Sequence, residues 1–160
     1  MNSEIIVDAY KIIGGATPLK SDCGLLCEHA CCLSDDDGKG GVYLFPGEEE
    51  LLKECGWGET VKDDFAPMLV CENYCEREKR PLACRIFPLT PVFNDKGLTV
   101  RIDARARAVC PLAHYGIKGM DSDFLRKVRD ALKMIDASEE GHAFLEKWQQ
   151  LEEQYRDFRL

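Results

Sequence analysis

Hydrophobic residues recur at helical spacing near the start of the chain and in short runs after it. Isoleucines alternate with charged residues over residues 3–13, which predicts an amphipathic helix that Gly14 and Gly15 end. Residues 34–41 are acidic and glycine-rich and predict an exposed loop. A strand is then expected over residues 41–45 and a helix over residues 48–55.

The middle of the chain, from residue 66 to residue 109, changes to short apolar runs. Such runs occupy residues 67–70, 84–89 and 98–102. The turn residues 94–97 separate two of the apolar segments, and this arrangement predicts a β-hairpin. We therefore expect a small β layer in this part of the chain.

The C-terminal part, residues 121–160, predicts two helices. Asp121 or Ser122 is expected to cap the first helix, and Ser138 is expected to open the second. Their apolar stripes are Phe124, Val128, Leu132 and Ile135 in the first helix and Phe144, Trp148, Leu151, Tyr155 and Phe158 in the second. Both stripes are expected to close the core, with a dimer or partner face as the alternative. Together the elements predict a small single α+β domain over residues 1–160.

Composition and charge narrow the classes of function. The chain has 160 residues, and no apolar stretch is long enough for a spanning helix. Its first residues lack the positive flank of a signal peptide, so we expect a cytoplasmic protein that does not associate with membranes. With a net charge of −8 it would be repelled by phosphate backbones, which argues against nucleic acid as a partner. A protein partner of unknown identity stays open.

Nine cysteines are the most informative feature of the composition. Their number is odd, so they cannot all pair as disulfides, and a reducing cytosol would keep them as thiols. The first motif is Cys23-x3-Cys27-x3-Cys31-Cys32. On a helix, steps of four residues rotate each position by only about 40°, so three of these thiols are expected on one helical stripe.

A second group of cysteines follows about forty residues later. Two arginines, Arg80 and Arg85, flank one of these cysteines, and guanidinium groups there would support the thiolates and offset their charge. The eight predicted metal ligands are Cys23, Cys27, Cys31, Cys32, Cys71, Cys75, Cys84 and Cys110. The ninth cysteine, Cys55, lies in an apolar segment and is interpreted as a packing residue.

Other polar residues receive simpler interpretations. His29 and His114 are near the cysteines but are expected to be ordinary core or surface histidines rather than ligands. The acidic run at residues 48–50 is interpreted as the solvated start of a helix. No nucleotide-binding, hydrolase or metalloprotease motif is present in the sequence, so no catalytic residue is proposed.

These motifs resemble the YkgJ-type cysteine cluster proteins, a zinc- or iron-chelating family. The resemblance covers about residues 20–115 and rests on the Cys-Cys pair of the first motif, on the segment Arg80-Pro-Leu-Ala-Cys-Arg-Ile-Phe-Pro88 and on the final Cys110. A similar segment occurs in flagellin lysine N-methylases, which are associated with a [4Fe-4S] cluster. Most of that larger enzyme has no counterpart here, so the resemblance does not extend to its activity.

The sequence leaves the cofactor and its use open. Eight thiols allow two four-thiolate zinc sites, or one [4Fe-4S] cluster with zinc or free thiols beside it; the three-residue gaps favour the cluster slightly. A structural, redox or sensing centre in a small accessory protein is the leading hypothesis. An enzyme that uses the cluster for electron transfer or protein side-chain modification is the second, and metal storage or delivery is the third.

Overall fold

The computed structural model describes residues 3–32, 40–71 and 75–158 of the chain. In chain order its helices and strands are α1 (Ser3–Ile13), α2 (Gly24–Cys27), β1 (Gly40–Tyr43), α3 (Glu48–Leu52), β2 (Gly58–Val61), β3 (Met68–Cys71), α4 (Leu82–Ile86), β4 (Leu89–Asn94), β5 (Gly97–Ile102), α5 (Ser122–Asp136) and α6 (Glu139–Asp157). Short 3₁₀ turns follow several of them. The fold is α+β, as the sequence predicts.

The predicted helix ends are confirmed in detail. Gly14, directly after α1, has a φ of +55°, a backbone conformation that glycine adopts without steric cost. The side chain of Asp121 accepts hydrogen bonds from two backbone N–H groups in the first turn of α5. Ser138 accepts one from Gly141 at the start of α6. Each cap satisfies N–H groups that the helix itself leaves without partners.

The predicted apolar stripe of α6 is buried only in its first half. Phe144 and Trp148 lie in the core, whereas Tyr155 and Phe158 are 39% and 90% exposed. Glu152 occupies the buried position between these pairs, where two arginines and a backbone N–H satisfy its carboxylate. The prediction was therefore wrong for the last turns of α6, because an ion-paired glutamate replaces apolar packing there.

Two separate antiparallel sheets form the β layer. Strands β1 and β2 flank β3 in a three-stranded sheet, in which Cys71 pairs with Gly40 on one side and Gly58 on the other. Strands β4 and β5 form the predicted hairpin, with Gly97 at a φ of +100° in its turn. The apolar run at residues 84–89 differs from a simple strand, because its first part belongs to α4.

Two hydrophobic clusters support the cysteine-bearing segments. The main cluster contains buried residues of α1, α4, α5, α6 and the β4–β5 hairpin, and Cys23 and Cys110 pack against it. A smaller cluster consists of Leu44, Leu52, Cys55, Trp57 and Leu69. Cys71 and Cys75 pack against this smaller cluster. The cysteine motifs are thus attached to two different apolar units.

Two predicted segments differ from their expected bounds or are described only in part. Helix α3 ends at Leu52 rather than at residue 55. The predicted loop at residues 34–41 lies outside the described residues except for its last two positions, which belong to β1. None of the helices within the described ranges is both long and apolar enough to cross a membrane.

The tight approach of α6 to the end of α5 predicts a specific sensitivity at Gly141. A Cβ atom added there would lie 2.1 Å from the carbonyl oxygen of Ile135 and 2.7 Å from the Ser138 hydroxyl. We expect Gly141→Ala to lower the free energy of unfolding by about 2 kcal/mol in a urea titration, despite the higher helix propensity of alanine.

Gly15→Ala is the matched control for this prediction. A Cβ at Gly15 meets no atom within 4 Å, so this variant should keep the wild-type free energy of unfolding or exceed it slightly. Equal stability of the two variants would contradict the packing argument at Gly141.

Candidate metal centre

All eight predicted ligands line two adjoining cavities. Cavity A, of about 60 Å³, is lined by Cys23, Cys27, Cys31, Cys84 and Cys110. Cavity B, of about 120 Å³, is lined by Cys31, Cys32, Cys71, Cys75 and Cys84. Cys31, Cys84 and Arg80 belong to both linings, which joins the two thiol groups. The cysteines come from segments far apart in the sequence, so the tertiary fold brings them together.

Cys55 is placed apart from this group. Its side chain is buried in the smaller hydrophobic cluster, and its thiol lies 3.6 Å from the carbonyl oxygen of Gly58. It lines neither cavity A nor cavity B. Cys71 and Cys75 pack against the same cluster, but the burial of Cys55 outside both cavities agrees with its interpretation as a packing residue.

The first cysteine motif folds as two short turns rather than one helix. Helix α2 stops at Cys27, because Glu28 and His29 adopt left-handed backbone conformations with φ of 51° and 59°. A 3₁₀ turn then carries Cys31 and Cys32. The predicted stripe of three thiols on a helix was thus wrong. Left-handed conformations are costly for residues with a Cβ, and they recur at functional sites where the chain must bend.

A salt bridge fixes this bent segment to the second cysteine group. Asp22 accepts a hydrogen bond from the Gly24 N–H at the start of α2 and pairs with Arg77 through both carboxylate oxygens. The Arg77 bonds lower the pKa of Asp22, and the Gly24 N–H lowers it further. Arg77 follows Cys75 by two residues, so this ion pair links the two motifs directly.

Arg85 holds the backbone that precedes Cys84. Its guanidinium donates hydrogen bonds to the carbonyl oxygens of Arg80 at 2.7 Å and Glu78 at 2.5 Å, and it lies over the ring of Tyr10 at 4.1 Å. Burial lowers the pKa of Arg85. Arg85 thereby positions the turn that carries Arg80. Its hydrogen bonds go to carbonyl oxygens, so a direct bond from Arg85 to a thiolate stays a prediction.

Arg80 interacts directly with the cysteine side chains. Burial tends to lower its pKa, but its hydrogen bond to Cys75 and the charges of Cys75, Cys32 and Cys84 raise it overall. Its Nε–H is buried and has no hydrogen-bond partner within the described part of the chain. Arg80 therefore carries an unpartnered donor and lines both cavities.

Trp57 provides a second donor of the same kind. Its indole Nε1–H is also buried without a hydrogen-bond partner among the described residues, and its side chain lines cavity B. A buried donor without an acceptor costs about 1–3 kcal/mol, so proteins rarely leave two of them beside one cavity. Sulfur atoms of a metal centre would accept both bonds. The sequence analysis did not identify Trp57, because an isolated indole carries no sequence signal for this role.

Cys23, Cys71 and Cys84 resist ionisation on their own. Burial raises the pKa of Cys84, and the nearby Cys32 and Cys71 raise it further. Burial also raises the pKa of Cys23, and it raises that of Cys71 to about 11. A bound cation stabilises the thiolate and replaces its proton. A cation bound at these cysteines would therefore shift them from the thiol to the thiolate form.

The Cys31 and Cys32 thiols form a close pair. Their sulfur atoms are 4.0 Å apart, which is far longer than a disulfide bond, and both cysteines are free. A hydrogen bond from Cys31 lowers the pKa of Cys32 to about 6, and the same bond raises the pKa of Cys31. One thiolate is therefore stabilised by its neighbour.

Zinc and an iron–sulfur cluster place different demands on the spacing of the thiolates. In the described ranges, no three Cys, His, Asp or Glu side chains are close enough together to hold one metal ion. A four-thiolate zinc site requires sulfurs about 2.3 Å from one point, whereas an iron–sulfur cluster separates its thiolates around a larger unit. His29 and His114 are exposed and line neither cavity, as expected.

A buried carboxylate, which the sequence analysis interpreted as solvated, supports helix α4. Glu48 is fully buried and accepts hydrogen bonds from the Tyr10 hydroxyl, the Phe45 N–H and the Leu82 N–H at the start of α4. The prediction of an exposed Glu48 was wrong, because three donors from separate segments replace its water. The bond to Leu82 fixes the first turn of α4, two residues before Cys84.

Comparison of the chain with models of protein families, with curated proteins and with solved structures finds no match. The assignment of a function to these cavities therefore depends on their own chemistry.

Glu48 gives a pH dependence that can be measured. Burial raises its pKa above the ordinary value of 4.5, and its three hydrogen bonds oppose that shift. Between the ordinary and the raised pKa, the folded protein binds a proton that the unfolded chain has released, so stability falls as pH rises through this window. Relative to Glu48→Gln, which cannot titrate, the wild type should lose up to about 1.4 kcal/mol per pH unit.

Urea titrations of the metal-free proteins from pH 4.5 upwards would measure this difference. Glu49→Gln is the control, because Glu49 is the exposed neighbour of Glu48 and should follow the wild type. A constant difference between wild type and Glu48→Gln over the whole range would contradict the raised pKa.

Proposed function

We propose that this chain is a metal-thiolate protein that binds a [4Fe-4S] cluster and uses it as a structural, redox or sensing centre. The observation that carries the proposal is the gathering of eight thiols around cavities A and B, with two unpartnered N–H donors beside them. The resemblance to the YkgJ-type proteins points to the same class of function, and membership of that family is part of the proposal.

Cavity B is the better position for the cluster. Trp57, whose indole N–H has no partner within the described residues, lines cavity B but not cavity A, and Arg80 lines both. The thiolates that would hold the cluster come from the five cysteines of its lining. When bound, the cluster supplies one-electron chemistry. The other cysteines of cavity A then provide a second thiol group for zinc or remain free.

The residues around the thiols have distinct tasks in this proposal. Arg80 offsets the negative charge of the thiolates and donates to sulfur. Arg85 fixes the backbone of the turn that carries Arg80. The pair of Asp22 and Arg77 holds the first motif against the second. All of these residues keep the thiols in place before and after the metal binds.

Metal analysis of protein purified without oxygen tests the proposal directly. We expect iron with labile sulfide and a broad visible absorption band near about 400 nm. Stoichiometric zinc in a colourless protein would show that the thiols hold a structural zinc site instead of a cluster. A protein free of both metals would overturn the proposal.

A pair of serine variants tests which thiols take part. Cys84 lines both cavities, so Cys84→Ser should lose most of the iron and lower the thermal stability. Cys55→Ser is the matched control, because Cys55 is buried outside the cavities and should retain the iron content of the wild type. Equal iron content in the two variants would contradict the division between ligand and packing cysteines.

The two free donors predict a tuned reduction potential. Trp57→Phe removes the indole N–H of a residue that lines cavity B, and Arg80→Met removes a guanidinium together with its positive charge. Hydrogen bonds and positive charge near sulfur favour the reduced, more negative cluster. Each variant should lower the midpoint potential by tens of millivolts, which corresponds to about 1 kcal/mol for one electron.

Lys79→Met is the control for this measurement, because Lys79 lies on the same turn as Arg80 but at the surface. Its potential should equal that of the wild type. If Arg80→Met and Trp57→Phe bind a full complement of iron with unchanged potentials, neither donor contacts the cluster.

A further inference from the structure

A third and larger cavity adjoins the thiols. Cavity C, of about 380 Å³, falls within the usual range for small-molecule sites. Cys31, Cys32, Cys84 and Arg80 form part of its wall and are shared with the thiol cavities. The rest of the wall includes Tyr43, Asp103, Arg105, Trp148 and Tyr155. A molecule in cavity C would therefore touch the thiol-bearing segments and a separate set of polar and aromatic side chains.

Arg105 is held by several contacts within this second set. Its Nε and Nη2 atoms donate to the two carboxylate oxygens of Asp103 at 2.9 and 2.6 Å. The guanidinium also lies over the rings of Trp148 and Tyr155, at 5.7 and 5.4 Å from their centroids. Asp103 is almost fully buried, whereas the Arg105 side chain is 33% exposed. Asp103 and the two rings thus hold Arg105 in one orientation.

This arrangement leaves one edge of the guanidinium for a ligand. Asp103 pairs with the edge formed by Nε and Nη2. Nη1, on the other edge, makes no hydrogen bond within the described part of the chain. A planar guanidinium matches a carboxylate through two parallel N–H donors. Because Arg105 is fixed before a ligand arrives, little conformational entropy is lost when that edge is used.

We propose that cavity C binds a small organic carboxylate, with the carboxylate group on the free edge of Arg105 and the body of the molecule against the thiol wall. The position of this ligand beside a metal centre rests on the proposed function, but binding through Arg105 requires no metal. Such a ligand next to the cluster would favour the enzyme hypothesis over a purely structural centre.

A matched pair of probes tests the recognition of a carboxylate. Phenylacetate and benzyl alcohol share a ring of the same size, but only phenylacetate carries a carboxylate. In calorimetric titrations of the protein as purified, we expect phenylacetate to bind at least about tenfold more tightly than benzyl alcohol. Inorganic phosphate also pairs with a guanidinium but lacks the ring, so it should compete only weakly. Equal binding of the two ring compounds, or full competition by phosphate, would overturn the proposal.

Variants of Arg105 locate the site. Arg105→Met should abolish the preference for phenylacetate, and Arg105→Lys should reduce it by about half on a logarithmic scale, because it retains a positive charge beside Asp103 but loses the planar pair of donors. Arg105→Lys keeps the test valid if Arg105→Met does not fold. The melting temperatures of both variants are measured to show whether they are folded. Arg107→Met is the control, because Arg107 is an exposed arginine on the same turn and should bind like the wild type. Unchanged binding in a folded Arg105→Lys protein would overturn the site.

The outcome is separable from that of the metal experiments. Binding of phenylacetate through Arg105 in a protein without iron or zinc would support the ligand site and refute the metal proposal. An iron-loaded protein that does not distinguish phenylacetate from benzyl alcohol would do the reverse.

Discussion

The constraint on which this structure depends is the placement of eight thiols around two small voids by segments that have little regular structure of their own. Helix α2 and the 3₁₀ turns near it are too short to be stable alone. Polar links between segments hold them instead: Asp22 with Arg77, Arg85 with backbone carbonyl oxygens, and Glu48 with the first turn of α4. The long helices supply the apolar surface on which these links are built.

Elements with a regular local pattern were predictable from the sequence. Helix α1, the β4–β5 hairpin and the caps at Asp121 and Ser138 follow from periodicity, turn residues and capping chemistry, which act over a few residues. The packing role predicted for Cys55 from its apolar neighbours agrees with its burial in the smaller cluster, and the eight other cysteines line cavities A and B. Local rules were sufficient wherever the partners of a residue are its near neighbours in the chain.

The errors concern residues whose partners are distant in sequence. Glu48 and Glu152 are buried because donors from other segments form hydrogen bonds to them. No local sequence pattern predicts such donors. The bend at Glu28 and His29 contradicts the helical spacing of the cysteines around it. Trp57 and Arg105 belong to the candidate sites only through the tertiary fold. Burial of polar groups and backbone strain are therefore the features that sequence periodicity describes least well.

The division of the interior into two hydrophobic clusters has a consequence for cooperativity. The larger cluster is built on α1, α5 and α6, whereas the smaller one, around Leu52, Trp57 and Leu69, has few apolar members. Cysteines from the first motif and from β3 face each other between these units, so a bound metal would couple their unfolding. Without it, the smaller unit can open while the helical unit stays folded. Amide hydrogen exchange would then divide the chain into two classes of protection, and the metal would merge them into one.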